Sequence, residues 1–322
     1  MSTKIDSSLF VDVADAIGLG NPSIVEKDYY VVQLLKLISE YQPQYHQMVF
    51  TGGTALSKSI IKTYRMSEDV DMKLVPNREF GCLPSGGAKK AARKAIKQCI
   101  ENLIINSDIF SIDGEIVVRN QYRYFSFNLR YPQVHQQSPC LRPFIKIEFI
   151  ESKLLELPDQ RAVQSIYAEL LQFDIELEGL VCAAITETQA EKLVSMTRRT
   201  ASVARNYERD DDKALIRHIY DTYQIQQAQP SDIKSLRKMV VAAINLDVER
   251  FGKQHPQMVE NPIDELRFGL KLLNDESRFK ERYQSYVNPM VYAESPVHWN
   301  DALAVFSKLA NEVFDGIKYK HQ

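Results

Sequence analysis

The chain has 322 residues, of which 44% are hydrophobic and 25% are charged, and its formal net charge at pH 7 is −2. This length and composition are typical of a globular protein with a large core, and they predict two domains or lobes. The nearly neutral charge excludes a protein that binds nucleic acid through a basic surface over the whole molecule. Any RNA contact must therefore come from a local patch.

The cysteines and the hydropathy pattern indicate the cellular compartment of the protein. Cys82, Cys99, Cys140 and Cys182 are far apart and form no C-x-x-C pair. They are typical of reduced thiols rather than of a zinc site or a disulfide framework. No uninterrupted apolar run is long enough to cross a membrane. We therefore predict a cytoplasmic protein without a membrane segment.

Residues 48–73 carry the most informative pattern in the chain. They predict a short strand over 48–50, a turn at Gly52-Gly53, a helix from about Thr54, and a second strand that opens at Asp69. Glycines let the backbone approach a ligand closely, and a helix N-terminus directs free N–H groups and a positive dipole end at the turn. The segment therefore predicts a phosphate site. A P-loop is excluded because the second glycine of G-x-x-x-x-G-K-[ST] is missing.

Asp69 and Asp71 lie two positions apart on the second predicted strand. Side chains alternate between the two faces of a strand, so both carboxylates project from the same face. Carboxylates beside a phosphate pocket suit Mg²⁺, which prefers oxygen ligands and substrate phosphates. The alternative interpretation is an ordinary tight turn followed by solvated charges at a strand end.

These residues also resemble a known family. Gly52-Gly53-Thr54 followed by Ser67-Glu68-Asp69-Val70-Asp71 is similar to the first motif of the DNA polymerase-β-like nucleotidyltransferases. It resembles more closely the G-G-T-x-L-S-K … S-E-D-[IV]-D signature of the AbiEii/AbiGii-type toxins. The resemblance implies that the turn at Gly52 and Gly53 holds a nucleoside triphosphate and that the paired aspartates bind two catalytic Mg²⁺ ions. Thr54, Ser57 and Lys58 are further candidates for binding the phosphates.

The fold expected from this resemblance is α+β. A polymerase-β-like nucleotidyltransferase domain, a small mixed sheet with helices, is predicted over residues 1–160. Because the pattern beyond about residue 160 is helical, a helical bundle lobe is predicted over 161–322. A helix predicted over 24–41 contains Glu26-Lys27-Asp28, which resembles the E-K-D-[YF] start of the same family. We interpret this run as a solvated helix face, with a catalytic role as the alternative.

A basic stretch follows a loop that is predicted over 76–87. On a helix, Lys89, Arg93 and Lys97 are four residues apart and share one face, with no acidic residue between Glu79 and Glu101. Two interpretations stay open. The stripe is either a solubilising surface or a contact for the phosphate backbone of RNA.

Two further strands are predicted over 115–131 and 144–150. In the second strand Glu148 lies between apolar neighbours, where burying a carboxylate without a partner would be costly. A metal ion or a proton-transfer role beside the aspartate pair would supply that partner, and Glu148 matches the third carboxylate of polymerase-β-like enzymes. The alternative is a surface ion pair with Lys146.

The predicted C-terminal lobe contains two weaker resemblances. Thr186-Glu-Thr-Gln189 has the form of a capping box, and Glu191-Lys192-Leu193 in the helix that follows resembles the A-E-K-L motif of the family. Residues 217–221 resemble an R-D-x-x-D motif. The resemblance implies that Lys192 contacts the triphosphate and that Asp221 completes the active site. His218 replaces the first aspartate of this motif, which leaves the role of that position open.

The resemblance implies a Mg²⁺-dependent toxin of a bacterial toxin–antitoxin or abortive-infection system, encoded with a DNA-binding antitoxin. Transfer of nucleotides from an NTP to the 3′ end of tRNA is the expected reaction. The alternatives are nucleotidylation of a protein hydroxyl, either on a target or on the antitoxin, and modification of a small molecule such as an aminoglycoside. A non-catalytic binding module of the same fold is the alternative outside enzymes.

Overall fold

The computed structural model describes residues 6–207 and 211–319, and the chain divides into two compact units, Met1–Ala183 and Ala184–Gln322. The first unit opens with two helices, α1 (Leu9–Ala16) and α2 (Pro22–Ser39). Pro22 occupies the first turn of α2, where its missing N–H group is not needed, and the Asn21 side chain accepts a hydrogen bond from the Ser23 N–H.

A mixed sheet follows, and eight strands of it lie in the described residues. The strands are β1 (His46–Thr51), β2 (Asp69–Pro76), β3 (Ser111–Ile112), β4 (Val117–Arg119), β5 (Tyr124–Arg130), β6 (Ile145–Glu151), β7 (Asp159–Val163) and β8 (Leu177–Cys182). Their order is β3-β5-β6-β2-β1-β8-β7, and β4 pairs with β5 outside this path. The pairs β2–β6 and β1–β8 are parallel and the other pairs are antiparallel.

Helices of the first unit connect these strands. They are α3 (Gly52–Ala55), α4 (Arg78–Gly81), α5 (Gly86–Ile105) and α6 (Ile166–Leu170). The predicted helix after the double glycine is short, since α3 continues only as a π-helical turn over Leu56–Ile60. Such π-helical turns are frequent at functional sites.

The two faces of the central sheet differ in character. On β2, Val70, Met72 and Leu74 are buried in the main core, where residues of α2, α5, β5 and β6 join them. Each fully buried aliphatic side chain of this kind stabilises the fold by about 1.5–3 kcal/mol. Because side chains alternate along a strand, Asp69 and Asp71 lie on the opposite, polar face. The fold therefore directs the aspartate pair away from the core.

The sheet also corrects the predicted boundary between residues 160 and 161. That position lies inside β7, which pairs with β8, so the sheet extends to Cys182 and the division of the chain falls at Ala183 and Ala184. The periodicity beyond residue 160 was misleading because β7 is short and mostly exposed, and therefore has little apolar alternation.

Two smaller expectations also differ from the structure. The predicted loop at 76–87 contains α4, whose N-terminus is capped by the Asn77 side chain. The strand predicted over 115–131 is interrupted after β4 by a turn. Asn120, Gln121 and Tyr122 have φ values of 49°, 56° and 65° there. Side chains other than glycine rarely adopt this left-handed region, so the turn is a strained connection.

In the second unit the described residues are mainly helical. The helices are α7 (Ile185–Ala204), α8 (Arg217–Ala228), α9 (Ile233–Phe251), α10 (Pro256–Glu260), α11 (Pro262–Asp275), α12 (Arg278–Tyr286) and α13 (Trp299–Asp315). The predicted capping box at Thr186 is wrong, because α7 begins at Ile185 without a side-chain cap. None of the described helices in either unit is long and apolar enough to cross a membrane.

Candidate active site

Three carboxylates predicted to act together lie on neighbouring strands of the first unit. The Cα atom of Asp71 is paired with that of Glu148 on the parallel strand β6, and with that of Thr51 on the antiparallel strand β1. Side chains at paired positions of a sheet project from the same face. Asp69, Asp71 and Glu148 therefore share the polar face. Two of these side chains, Asp69 and Glu148, are each 28% exposed, so this face is open to a ligand.

The ligand types of this group fit Mg²⁺, because carboxylate oxygens on one face can bind a hard cation. In the described residues, no three His, Cys, Asp or Glu side chains lie close enough together to hold a metal ion in their present positions. Arg142 and Lys146 neutralise two of the carboxylates instead. Binding of a cation would therefore require Asp69 and Glu148 to exchange these partners.

Gly52 brings the turn against the aspartate pair. Its φ of +80° lies in the left-handed region, and a Cβ atom added at this position would overlap the Oδ2 atom of Asp71. The sequence predicted that this glycine allows a close approach of the backbone. The structure shows that the group in close contact is the Asp71 carboxylate. Gly52 and Gly53 are the first two residues of α3.

Thr54 anchors the turn to β2. Its hydroxyl lies 2.8 Å from the Ser67 hydroxyl and donates to the backbone carbonyl of Asp69, and the residue is buried. The Thr54 hydroxyl is therefore committed to these contacts rather than presented to a phosphate. Ser57 is half-buried, and its hydroxyl donates to the Thr54 carbonyl at 3.2 Å.

Lys58 is neither an exposed lysine nor an unpaired cation. Its side chain is buried and forms an ion pair with Asp28 of α2. The other oxygen of Asp28 accepts a hydrogen bond from the Ile166 N–H at 2.7 Å. A phosphate at the turn would therefore have to share the Lys58 ammonium with this carboxylate.

A buried network holds Asp69. The Arg142 guanidinium donates to Asp69 Oδ1 at 2.6 Å, while the Arg142 backbone N–H donates to Glu68 Oε2 at 2.9 Å. Lys27 of α2 donates to the same Glu68 oxygen and to the Arg142 carbonyl, at 2.7 Å each. Burial lowers the pKa of Lys27, although the charge of Glu68 acts in the opposite direction. Lys27 and Glu68 thus fix the backbone from which Arg142 reaches Asp69.

This network corrects the interpretation of Glu26-Lys27-Asp28 as a solvated face. All three residues are buried. The Glu26 carboxylate accepts the backbone N–H of Val134 at 2.8 Å, and burial raises its pKa. The run therefore supports the loops around the candidate site. A single helix cannot reveal this, because the partners are distant in the sequence.

Glu148 is held by two side chains on the polar face. Lys146 lies 2.7 Å away as an ion pair, and the Tyr124 hydroxyl donates to Glu148 Oε1. Burial and the hydrogen bond to this carboxylate raise the pKa of Tyr124 to about 12, so the phenol stays protonated at neutral pH. The predicted Lys146 ion pair is present, and it lies beside the aspartate pair rather than on a remote surface.

The second unit contains the other two predicted residues. Lys192 on α7 donates to Asp221 Oδ2 on α8 at 2.8 Å, and both side chains are buried. The weak sequence motifs thus identify a pair of residues that bind each other. His218 lies on α8, one turn before Asp221, and is half-buried.

The prediction that Lys89, Arg93 and Lys97 form one exposed basic stripe is wrong at Arg93. Arg93 is buried and binds Glu151 on β6 through two hydrogen bonds of 2.5 and 2.9 Å, so it is not available to RNA. Lys97 pairs with Glu101 one turn later on α5 at 2.7 Å. Arg93 belongs to the buried face of α5. Lys89 lies one turn earlier on the helix, and its ammonium is 5.7 Å from the centroid of the Phe80 ring. The exposed basic residues of this helix are Lys90 and Lys94.

Sequence reasoning missed Arg142 and Tyr124, which contact the carboxylates directly. Arg142 lies in a polar loop with no motif around it, so no local signal indicated it. The alternation of polar residues along β5 places Tyr124 and Ser126 on one face, and the antiparallel pairing of Ser126 with Glu148 then brings that face to the carboxylates.

Comparisons with known proteins identify the family and the fold. A family described as "Nucleotidyl transferase AbiEii toxin, Type IV TA system" matches residues 36–305. The MenT4 nucleotidyltransferase toxin of Mycobacterium tuberculosis H37Rv has a similar structure, with a TM-score of 0.64 and 18% identity over 98% of this chain and 91% of that chain. At this identity the likeness concerns the fold, and it confirms the predicted α+β class.

A second solved structure is much less similar. The STING-associated CdnE c-di-GMP synthase of Capnocytophaga granulosa has a TM-score of 0.26 and 10% identity, over 94% of this chain and 86% of that chain. A search of curated proteins found no match.

Proposed function

Because the chain belongs to the AbiEii family of nucleotidyltransferase toxins from type IV toxin–antitoxin systems, we propose that it transfers a nucleotide from an NTP to the 3′ end of tRNA in a Mg²⁺-dependent reaction. Nucleotidyl transfer follows from the family, and the family also implies a cognate antitoxin. The observation that supports a Mg²⁺ site is the shared polar face of Asp69, Asp71 and Glu148, with the Gly52 turn against Asp71.

Asp69 and Asp71 would hold Mg²⁺, and Glu148 would complete the site. When bound, Mg²⁺ lowers the pKa of an acceptor hydroxyl and neutralises charge on the triphosphate and on the leaving pyrophosphate. Gly52 and Gly53 let the backbone of the turn approach the phosphates, and Lys58 adds a positive charge nearby. Much of the catalysis would come from positioning and charge stabilisation.

Several of these residues are also positioned by their neighbours. Arg142 orients Asp69, and Lys146 and Tyr124 orient Glu148. These contacts hold the carboxylates in place until a cation exchanges with Arg142 and Lys146. Lys192 would contact the triphosphate, and Asp221 would be the partner of Lys192.

The biological setting is part of the same proposal. Modification of tRNA 3′ ends would stop translation and so arrest growth, as a toxin or an abortive-infection protein does. The antitoxin would be a DNA-binding protein encoded alongside. Because the proposed substrates are tRNA and NTPs, we expect the protein to act in the cytoplasm.

We expect that the purified protein labels a tRNA-sized band when incubated with Mg²⁺, total cellular RNA and protein, and each α-labelled NTP in turn. Asp71→Asn should keep the fold and lower labelling at least about 100-fold, because it removes a charge at the reacting centre. The measurement is the labelling rate, with circular dichroism as the control for folding.

Label on a protein band would replace the tRNA proposal by nucleotidylation of a protein hydroxyl. No label in any fraction, together with no NTP binding by calorimetry, would indicate a binding module. Full activity of a folded Asp71→Asn variant would refute the assigned site.

A further inference from the structure

A cavity of about 310 Å³ lies on the polar face of the sheet in the first unit. Its walls come from β4, β5, the loop before β6, and β6 itself. Arg119, Tyr124, Asn128, Arg142 and Lys146 are among its lining residues. The proposed function uses Tyr124, Arg142 and Lys146 only to hold carboxylates, and it leaves the cavity itself without a ligand.

The cavity is continuous with the candidate active site through shared side chains. Arg142 binds Asp69 at 2.6 Å, and Lys146 binds Glu148 at 2.7 Å. The strand order then locates the cavity relative to the triphosphate. The Gly52 turn follows β1, the carboxylates lie on β2 and β6, and the cavity is on β5 and β4. The carboxylates therefore lie between the Gly52 turn and the cavity.

The charge of the cavity favours an anion. Arg119, Arg142 and Lys146 line it, against a single lining carboxylate, Glu115. Arg142 and Lys146 are paired with Asp69 and Glu148, and they become available to a phosphate when Mg²⁺ takes over these carboxylates. Arg119 adds a third cation, and arginine in particular matches phosphate geometry. A neutral peptide segment carrying a hydroxyl would gain nothing from these charges.

The remaining lining groups suit a nucleobase. The Arg119 guanidinium lies over the Tyr124 ring, 5.7 Å from its centroid, and both groups are of the kind on which bases stack. Ser126 and Asn128 add donors and acceptors of the kind that bind the edge of an unpaired base. The volume is at the small end for ligand pockets, so it suits a single nucleotide and is too small for a duplex.

We propose that this cavity binds the terminal nucleotide of a single-stranded RNA 3′ end, which is the acceptor. This inference rests on the proposed function and deepens it. The acceptor 3′-oxygen then forms a bond to the α-phosphorus of the NTP, and the bond from that phosphorus to the oxygen bridging to the β-phosphate breaks. Pyrophosphate leaves with the electron pair of that bond, and the hydroxyl proton passes to Glu148 or to water. Attack from the cavity side meets the requirement that the entering and leaving oxygens lie on opposite sides.

The test uses the full chain and a 5′-fluorescein-labelled single-stranded RNA, with binding followed by anisotropy at several salt concentrations. Arg119 is exposed on β4, so Arg119→Ala should fold. We expect it to weaken RNA binding about tenfold and to flatten the salt dependence, since both stacking and phosphate contact are lost. Calorimetric affinity for NTP should be unchanged.

A matched control exists on the neighbouring strand. Arg130 is on β5, is 70% exposed, pairs with Asp113 and does not line the cavity. Arg130→Ala should bind RNA as the unchanged protein does. A second cavity variant, Asn128→Asp, adds a negative charge without changing size and should weaken RNA binding by a similar factor.

The outcomes separate this inference from the proposed function. If the unchanged protein labels RNA while Arg119→Ala and Asn128→Asp bind and label RNA equally well, the cavity assignment is overturned and the reaction stands. If the unchanged protein labels protein and binds no RNA, both are overturned. Weaker RNA binding in both cavity variants, with unchanged NTP affinity, supports the inference even before the preferred base is known.

Discussion

At the scale of single residues, Gly52 links backbone geometry to the candidate chemistry. Its backbone is in the left-handed region, and the space where a side chain would lie is filled by the Asp71 carboxylate. A larger residue would therefore strain the turn and move a carboxylate at the same time. This position has two independent physical reasons to be glycine.

We expect Gly52→Ala to lower the free energy of unfolding by about 2 kcal/mol or more, because a positive φ and an overlap with Asp71 both cost energy. Nucleotidyl transfer should fall at least about 100-fold, since a displacement of about 1 Å at a reacting group has such an effect. Urea unfolding and the labelling assay measure the two quantities.

Gly81 provides the control, because a Cβ atom there would meet nothing within 4 Å. Gly81→Ala should change neither quantity appreciably. Wild-type activity in Gly52→Ala would show that Asp71 does not depend on the turn.

At the scale of elements, buried ion pairs decide how helices pack on the sheet. On α5, Arg93 binds Glu151, and His46 of β1 lies 3.0 Å from the same carboxylate. Burial tends to raise the pKa of Glu151, but the hydrogen bonds from His46 and Arg93 and their charges lower it to about 2. The basic residue that looked like a contact for RNA is therefore a structural clamp between α5, β1 and β6.

This clamp predicts a pH dependence. The pKa of Glu151 is about 2 in the folded protein and 4.5 ordinarily, so its ionised form stabilises the fold above about pH 4.5. That contribution is lost as pH falls from about 4.5 toward 2. We expect Glu151→Gln to be less stable by about 2 kcal/mol at pH 5. The difference from the unchanged protein should shrink toward pH 2.5.

Urea unfolding at several pH values between 5 and 2.5 measures this difference. Glu101→Gln is the control, because its pair with Lys97 lies within one helix and nearer the surface. It should cost less than about 1 kcal/mol at every pH. A constant gap for Glu151→Gln across the range would contradict the lowered pKa.

At the scale of the whole molecule, the second unit contains Lys192 and Asp221, the pair that we propose for the triphosphate. Both side chains are buried and bind each other. A buried pair of this kind is compatible with two roles. It either holds α7 and α8 together, or it positions Lys192 to contact a phosphate. A double variant can separate these roles, because removing one charge of a buried pair leaves the other uncompensated.

Lys192→Met alone should destabilise the protein by about 3–5 kcal/mol, and Lys192→Met/Asp221→Leu should recover much of that loss. We expect the double variant to fold and to transfer nucleotide at least about 100-fold more slowly than the unchanged protein. Thermal unfolding and the labelling rate measure the two effects.

In the same unit, the buried Arg198 pairs with the half-buried Asp247 at 2.5 Å. The double variant Arg198→Met/Asp247→Leu should keep its transfer rate. Equal rates for the Lys192 double variant and the unchanged protein would assign that pair a purely structural role.

The sequence by itself determined the central strands and the central motif. Alternation along β2 and β6 is a local property, so Asp69, Asp71 and Glu148 could be assigned to faces before their partners were known. The close approach at Gly52 was predictable in the same way, from the conformational freedom of glycine. The register that pairs Asp71 with Glu148 was not, since it depends on two strands far apart in the chain.

Only the tertiary structure decided which charges are buried. Lys27, Lys58 and Arg93 all lie on helices, where the sequence shows a charge but not the carboxylate that faces it. Their partners Glu68, Asp28 and Glu151 lie on other elements, and a long charged side chain is buried only where such a partner satisfies it. The same rule explains why the predicted RNA stripe was wrong at Arg93 and why the cavity between β4 and β6 had no sequence signal. Local patterns determine which face a residue occupies, and non-local packing determines what that face meets.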